Sequence, residues 1–324
     1  MKKCILGIDT SNYTTSIAVV DQIGNILIDN RRILNVVKGK RGLRQSDALF
    51  QHVVNIPDLF KECSNLSIDY DIKAVCASSK PRPVENSYMP VFKVSQSFGK
   101  SIATILGCEY IECSHQENHI EGALYAIDHN FKDEFIAVHI SGGTTEILHV
   151  KKNTMIGYGI QIIGGTSDIS IGQFIDRIGV KLGFNFPAGK YMDELVIDTG
   201  NKHDFERLKV SVKDTYMSFS GPETMTNNLI DQGIDKKNIS LLTFECIVYA
   251  LKKAIINSCK ATGIKEVLLM GGVASSKYLR AHLVRALDKK NIEVHFGNPS
   301  YCTDNAVGTA LLGRKNIFKK ETQT

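Results

Sequence analysis

Residues 7–20, GIDTSNYTTSIAVV, and residues 139–150, HISGGTTEILHV, read as two copies of one unit about 130 residues apart. Each copy carries an apolar run into a polar turn and leaves it as a β-rich run. In the first, residues 4–7 are apolar and Asp9, Thr10, Ser11 and Asn12 make the turn. Residues 15–20 return as a strand, and Gly24-Asn25 signals a hairpin into Ile26, Leu27 and Ile28. In the second, residues 135–140 enter the turn Ser141-Gly142-Gly143-Thr144-Thr145, residues 146–150 leave it, and a strand over 154–158 follows Asn153.

Outward from these copies, strands and helices alternate. Residues 72–77 read as a strand and 87–106 as a helix with Val91, Val94, Phe98, Ile102 and Ile105 on one face. Residues 110–113 read as a strand, and 115–127 as a helix with Ser114 at its N-cap. Beyond the second copy, 167–182 reads as mostly helical and 183–240 as irregular, with short helices. An amphipathic helix over 242–260 has Phe244, Val248, Leu251 and Ile255 in register. A strand over 267–270 enters Gly271-Gly272, a helix runs over 276–287, a strand over 292–296, and Asp304 opens the last helix. Such alternation argues for α/β layers.

The composition agrees. With 324 residues, 43% hydrophobic, 23% charged and 7 prolines, the chain is neither disordered, collagenous nor coiled-coil. Its length suits two domains. No apolar run is long enough for a membrane span, and Asp9 interrupts the first apolar run too early for a signal peptide. A cytoplasmic protein without a membrane partner is expected. The net charge of +5 permits a nucleic-acid partner without arguing for one. None of the eight cysteines forms C-x-x-C, which excludes a zinc ribbon or thioredoxin-like motif. Cys4, Cys76 and Cys246 lie in apolar context, where cysteine is a small buried hydrophobe.

Three polar turns each follow a strand: Asp9-Thr10-Ser11, Ser141-Gly142-Gly143 and Gly271-Gly272. Backbone N–H groups in such turns cradle phosphates. One alone is ordinarily a plain turn; three, two of them related by a repeat, point to a nucleotide cleft between two domains. His115 and His119 are four apart on a helix and share a face. They are either two ligands of one metal or a solvated or capping pair. HQENH (115–119) is not a metalloprotease HExxH, because its second position is Gln116. Glu117 lies at roughly 200° around the helix from His115, on the far side from the histidine pair. Asp176 is a ribose-binding candidate or an exposed helix carboxylate, and Phe219-Ser220-Gly221 is compatible with any loop.

Taken in order, GIDTSNYTT (7–15), SHQENH (114–119), SGGTT (141–145), GQFID (172–176), FPAG (186–189), SFSGPET (218–224), GGVASS (271–276) and CTDN (302–305) resemble the motifs of the TsaD family. The resemblance spans residues 4 to 312. It implies the actin-like/sugar-kinase/Hsp70-type ATPase fold: two similar domains with a nucleotide and metal cleft between them. The first would cover 1–130 plus a C-terminal helix at 304–324, the second 131–303 with inserted helices. It implies an acyltransferase that moves a threonylcarbamoyl group from threonylcarbamoyl-AMP to the N6 amine of the tRNA adenosine beside the anticodon. His115, His119 and Asp304 match the ligands of one divalent metal ion, iron or zinc, through which they act in catalysis. His139, Ile140, Ser141, Gly142 and Gly143 match the phosphate loop for ATP or threonylcarbamoyl-AMP. Asp176 matches the ribose aspartate, Gly189 a glycine near the nucleoside, and Gly271 and Gly272 the adenosine-side turn. Implied partners are tRNA and TsaB-like and TsaE-like subunits, with a heterodimer among the possible assemblies.

The chain departs from the family pattern at several points. The acidic pair of the first motif is Tyr13-Thr14, the GPGL turn is Lys80-Pro81-Arg82-Pro83, and the His of SGGHT is Thr144. Gln173 replaces a Glu, Glu223 a Lys and Ser276 an Asn. A non-catalytic nucleotide-binding scaffold of the TsaB type is the alternative reading. A small-molecule kinase of the same superfold is the third, although Asn12-Tyr13-Thr14 supplies no charged group for a γ-phosphate.

Overall fold

The structure is a computed structural model. It describes every residue except 12, 37–42, 62, 64–68, 153–156, 198–204 and 322–324, and the side chains of 319–321. The first elements are β1 (Lys2–Thr10), β2 (Thr14–Asp21), β3 (Ile26–Ile33), α1 (Gln45–Lys61), β4 (Tyr70–Lys80), α2 (Phe92–Leu106), β5 (Glu109–Ser114) and α3 (His115–Leu124). They are followed by β6 (Glu134–Ile140), β7 (Thr145–Lys152), β8 (Tyr158–Thr166), α4 (Ile171–Lys181), α5 (Gly189–Val196), β9 (Ser211–Lys213), β10 (Tyr216–Ser218) and α6 (Ser220–Asp231). The remainder is α7 (Lys236–Thr262), β11 (Glu266–Met270), α8 (Lys277–Asp288), β12 (Glu293–Phe296) and α9 (Val307–Glu321).

The chain divides into two compact units. One holds Met1–Ala126, Lys152–Gly159 and the segment from Thr303 onward; the other holds Ile127–Lys151 and Ile160–Cys302. The sheet of the first runs β3-β2-β1-β4-β5. β1 pairs antiparallel with β2 and parallel with β4, and β4 pairs parallel with β5. The second sheet runs β12-β11-β6-β7-β8-β10-β9. β6 pairs antiparallel with β7 and parallel with β11, and β11 pairs parallel with β12. Its first five strands repeat the order of the other sheet, which is the structural content of the repeated sequence unit. The central strands carry continuous apolar runs, as strands covered on both faces do: Ile5, Leu6, Ile8, Val75, Ile136, Val138, Leu268 and Leu269 are buried.

In the first unit Val94 and Ala103 of α2 pack on Leu6, Ile8 and Val75. In the second, Ile171, Phe174, Ile175 and Ile178 form the buried stripe of α4, at the i, i+3, i+4, i+7 spacing of a helix face. Each contributes about 1.5–3 kcal/mol by leaving water, which fixes the rotation of α4 and with it the direction of Asp176.

Several element boundaries differ from the sequence reading. β1 continues through Asp9 and Thr10, which pair with Ser16 and Thr15, so both belong to strand rather than turn; Asn12 lies outside the described residues. The helix expected from residue 87 begins at Phe92, because Pro90 cannot donate a backbone hydrogen bond and restricts Met89. Its Ile105 is 83% exposed, Ala103 taking the buried place in the last turn. α3 ends at Leu124 rather than 127, and the chain turns at Ala126 with φ +64°. The helix expected over 167–182 starts at Ile171, after the Ser170 cap. The strand expected over 154–158 falls largely outside the described residues; β8 begins at Tyr158. Residues 183–240 hold two short strands, β9 and β10, in addition to helices. α7 is 27 residues long and buries Ile239, Leu242, Phe244, Ile247, Leu251 and Ile255, around more of its circumference than one stripe. Asp304 does not open the last helix. It stands in a bend three residues before Val307.

The cysteines are free among the described residues, with Cys4, Cys76 and Cys246 buried. No described helix is long and apolar enough to cross a membrane.

Candidate functional site

The first unit gathers a cluster whose parts lie far apart in sequence. α3 has a polar sequence, yet Gln116 to Ala123 are all buried. A polar helix tolerates burial only if its side chains find partners. Ser114 and Glu117 form a reciprocal capping box: the Glu117 N–H donates to Ser114 Oγ (3.2 Å), and Glu117 Oε2 accepts from the Ser114 N–H (2.8 Å). Glu117 Oε1 accepts from the Tyr158 N–H at 3.1 Å. Glu117 is thus committed to holding the helix start, consistent with its exclusion as a protease base. Glu121 accepts from the Tyr158 hydroxyl (2.5 Å) and from Lys315 (2.6 Å).

His115 and His119 point from this helix toward Asp304. Their Nε2 atoms are 3.0 Å apart, and Asp304 Oδ1 lies 3.6 and 3.3 Å from them. His119 is 4% exposed, so the pair is not solvated. Asp304 Oδ2 accepts from the Ser11 hydroxyl at 2.7 Å, which leaves Oδ1 for the histidines. Asp9, fully buried at the end of β1, accepts from His115 Nδ1 at 2.9 Å and from the Ser78 hydroxyl. A carboxylate only accepts, so His115 carries its proton on Nδ1 and turns Nε2 toward His119.

Asn118 ties the two halves of the cluster together. Its Nδ2 donates to the Asn305 carbonyl (2.5 Å), and its Oδ1 accepts from the Thr309 N–H (2.8 Å). Asn305 Oδ1 in turn accepts from the Val307 N–H at 2.8 Å. The bend bearing Asp304 is therefore clamped between the start of α9 and α3.

The donor set suits a cation. Two imidazole nitrogens 3.0 Å apart need either a proton or a metal ion between their lone pairs. Asp9 Oδ2 is buried without a hydrogen-bond partner among the described residues. Two carboxylates and two neutral imidazoles carry two negative charges, which one divalent ion balances. Without a metal, protons on the histidines supply part of that positive charge. Burial presses the His115 pKa down, but the negative charges of Asp9 and Asp304 outweigh it and raise it to about 9. Burial presses Asp304 up, and the hydrogen bond from His119 with both histidine charges holds it far below the usual carboxylate range.

His52 supports the Ser11 turn from beneath. It is fully buried; Nε2 donates to the Ser11 carbonyl (2.7 Å) and Nδ1 accepts from the Thr15 hydroxyl (2.8 Å). Desolvation lowers its pKa below the ordinary 6.5. The unfolded chain therefore takes up a proton on His52 before the folded chain does. Its stabilising contribution is present above pH 6.5 and is lost as pH falls through the folded value. The expected result is a flatter decline of unfolding free energy from pH 7.5 to 5 in His52→Gln than in the wild type, measured by urea titration. Parallel pH curves would contradict it.

The second unit holds the glycine-rich turn. The Ser141 N–H donates to the Thr144 carbonyl (2.8 Å) and Ser141 Oγ accepts from the Thr144 N–H (3.1 Å). Ser170, the cap of α4, donates to the Gly142 carbonyl at 2.8 Å. The turn is thus pinned through its hydroxyl and carbonyl groups. A Cβ on Gly142 or Gly143 would meet open space, so the outer side of the turn is accessible to a ligand. His139 and Ile140 lead into it from β6. Gly271, with φ +96°, comes so close to this strand end that a Cβ would lie 2.3 Å from the Ile140 carbonyl oxygen. The Gly271-Gly272 turn and the Ser141–Gly143 turn are therefore neighbours.

Other residues singled out from sequence already have partners. Asp176 accepts from the Ala188 N–H (2.8 Å), and with the Gly189 N–H it anchors the start of α5; burial raises its pKa above the ordinary value. Ser276 caps α8, accepting from the Leu279 N–H (3.1 Å) and donating to Asp193 (2.5 Å). Gln173 completes a capping box with Ser170, a task it performs as well as the Glu it replaces. Glu223 pairs with Arg177 at 3.1 Å. Tyr13 is 41% exposed, whereas Thr14 is buried in β2. Asp168 accepts from the Phe219 and Ser220 N–H groups (both 2.9 Å) and from the Ser218 and Ser220 hydroxyls (both 2.6 Å). Despite the opposing effect of desolvation, these bonds lower its pKa to about 2. The sequence pattern marks none of Asp168, His52 and Asn118, and it marks Asp9 only as part of a candidate turn.

Comparison with solved structures defines the class. Full-length HypF in its phosphate- and nucleotide-bound form superposes with a TM-score of 0.61 at 16% identity, over 97% of this chain and 46% of HypF. A ROK family glucokinase from Streptomyces griseus superposes with a TM-score of 0.54 at 11% identity, over 95% of this chain and 98% of the kinase. At these identities the likeness shows the fold alone: an actin-like ATPase and sugar-kinase fold. Sequence comparison narrows this to a family. The family model described as tRNA N6-adenosine threonylcarbamoyltransferase, TsaD, matches residues 33–311. The protein of that name from Thermosipho africanus is 30% identical over 98% of this chain and 94% of its own length. That from a Sulfurihydrogenibium species is 31% identical over 98% and 91%. The chain belongs to the TsaD family.

Proposed function

We propose that this chain transfers a threonylcarbamoyl group from threonylcarbamoyl-AMP to the N6 amine of the tRNA adenosine beside the anticodon, in the cytoplasm, with TsaB-like and TsaE-like subunits as partners. The observation that carries the reading is the convergence of His115, His119 and Asp304 in a chain of this family. These three residues would hold one iron or zinc ion, which when bound would supply Lewis acidity toward the carbamoyl carbonyl. Asp9 and Ser11 orient the ligand atoms, and Asn118 sets the spacing of the Asp304 bend from α3.

In the other unit the Gly142 and Gly143 N–H groups donate to the adenylate phosphate, with His139, Ile140 and Ser141 shaping the loop. Asp176 offers its second carboxylate oxygen to the ribose, beside Gly189. Gly271 and Gly272 pass close to the adenosine, held by the capping bonds of Ser276. Tyr13 and Thr14 supply no carboxylate to take the proton of the attacking amine, so transfer proceeds more slowly than in a relative with the acidic pair.

The test is nucleoside mass analysis after incubating metal-loaded protein and its partner subunits with threonylcarbamoyl-AMP and tRNA. Threonylcarbamoyladenosine forms with the wild type, faster with Tyr13→Asp. Asp176→Ala weakens adenylate binding by about 1–3 kcal/mol, the size of one hydrogen bond to a charged group. Complete absence of the modified nucleoside from the loaded wild-type assembly refutes the proposed function.

A further inference from the structure

A second group of metal-ligating side chains lies in the second unit and shares no residue with the groups described above. Glu293 and His295 stand two apart on β12, so their side chains leave the same face of the strand. β12 is the edge of its sheet and pairs in parallel with β11, Glu266 opposite Glu293 and Leu268 opposite His295. His129 arrives from the segment preceding β6. Without a metal its ring stacks on that of His295, centroids 3.8 Å apart and planes 20° from parallel, and a shared ion would tilt the two rings apart so that both lone pairs meet it. Phe131, buried, packs edge-on against both imidazoles, with ring centroids 4.8 and 5.1 Å away.

Glu293 Oε1 lies 3.0 Å from His295 Nε2 and 3.6 Å from His129 Nδ1. One ligand atom from each of the three residues falls within 4.8 Å of the others. The opposite nitrogen of the His129 ring, Nε2, faces Glu266 Oε1 at 3.6 Å. Glu266 is buried, and its other oxygen is fixed by the Lys132 N–H at 2.8 Å. His129 Nε2 is itself buried and makes no hydrogen bond among the described residues. A carboxylate behind a histidine, on the side away from the other ligands, is the usual support of a metal-binding imidazole. Two histidines and one glutamate, with a coordination position left open, suit zinc better than a hard oxygen-seeking cation.

We propose that His129, Glu293 and His295 form a second divalent transition-metal site of the zinc class, with Glu266 as a positioning residue behind His129. A zinc ion there joins the edge strand β12 to the segment entering β6, across β11. The site does not depend on the His115 cluster or on the proposed transfer reaction.

The experiment is zinc titration of the chelator-stripped full chain, with stoichiometry and affinity read by competition against a chromophoric chelator. The histidine ring resonances are followed by NMR in parallel. In a His119→Ala, Asp304→Ala background one equivalent of zinc still binds, and it shifts the His129 and His295 resonances together. Adding Glu293→Gln, an exposed change that spares the core, or His295→Gln removes that equivalent. Glu266→Gln keeps the stoichiometry but weakens binding about 10- to 100-fold, as expected of a carboxylate supporting a ligand. Zinc uptake in that background unchanged by Glu293→Gln and His295→Gln, or none at all, overturns the proposal. So do histidine resonances that stay in place as zinc is added.

Discussion

Replacing His119 or Asp304 by alanine removes one equivalent of bound iron or zinc from the protein. Each contributes one of the three side-chain donors that converge there among the described residues: the Nε2 atoms and Asp304 Oδ1 are separated by 3.0 to 3.6 Å. Loss of a supporting residue alone costs about 10- to 100-fold in metal affinity, so loss of a ligand costs more. Asp9→Asn falls in the supporting class. It keeps the shape beside His115 but removes the charge that fixes the Nδ1 proton, and affinity drops about 10- to 100-fold. Metal analysis of protein purified without chelator, with zinc competition for affinities, reads all three variants. Wild-type metal content in both alanine variants would refute the cluster as a metal site. Threonylcarbamoyl transfer is lost together with the metal in His119→Ala.

Gly308→Ala damages the same cluster without touching a ligand. Gly308 is on α9, where that helix presses against α3. A Cβ there would lie 2.0 Å from the Asn118 carbonyl oxygen, 2.7 Å from the Gly122 nitrogen and 2.8 Å from Asn118 Oδ1. Two of these atoms are helix backbone, and the third is held by the Thr309 N–H, so none can yield. α9 must back away, carrying the Asp304 bend with it. Overpacking of this kind costs typically 1–3 kcal/mol, and contact with backbone places it at about 3. Thermal unfolding then shifts down by roughly 6–12 °C at 2–4 °C per kcal/mol, and metal affinity falls in step. Gly221→Ala is the control, since its Cβ would meet open space near the exposed start of α6. Equal melting temperatures for Gly308→Ala and wild type would show that the two helices are not in this contact. A melting loss without a loss of metal affinity would separate the helix contact from the ligand geometry.

Local chemistry made much of this protein readable from sequence alone. The repeated strand–turn–strand unit survives as the shared five-strand order, because alternating apolar runs and polar turns act over a few residues. The i, i+4 spacing of His115 and His119 and the Ser114 cap are helix-local properties, and both are present. Where local pattern is weak, the reading is incomplete. β9 and β10 are three residues each, too short for any period; the helix read over 242–260 lies within α7, which is apolar around more of its circumference than the one stripe expected.

Only the tertiary structure decided what surrounds the histidines. Asp9 looked like a turn residue until its strand ran on to Thr10 and brought it to His115, 106 positions away. Asn118 looked like an arbitrary polar residue between two histidines, yet it bonds across α9 to Asn305 and Thr309. His52 and Asp168 have no motif at all; each is defined by the backbone groups it binds. His129, Glu293 and His295 meet because a parallel register and an entering loop place them together. Sequence spacing dictates contacts within one helix or strand. Contacts between segments depend on the packing of whole elements, and only folding brings those side chains within reach of one another.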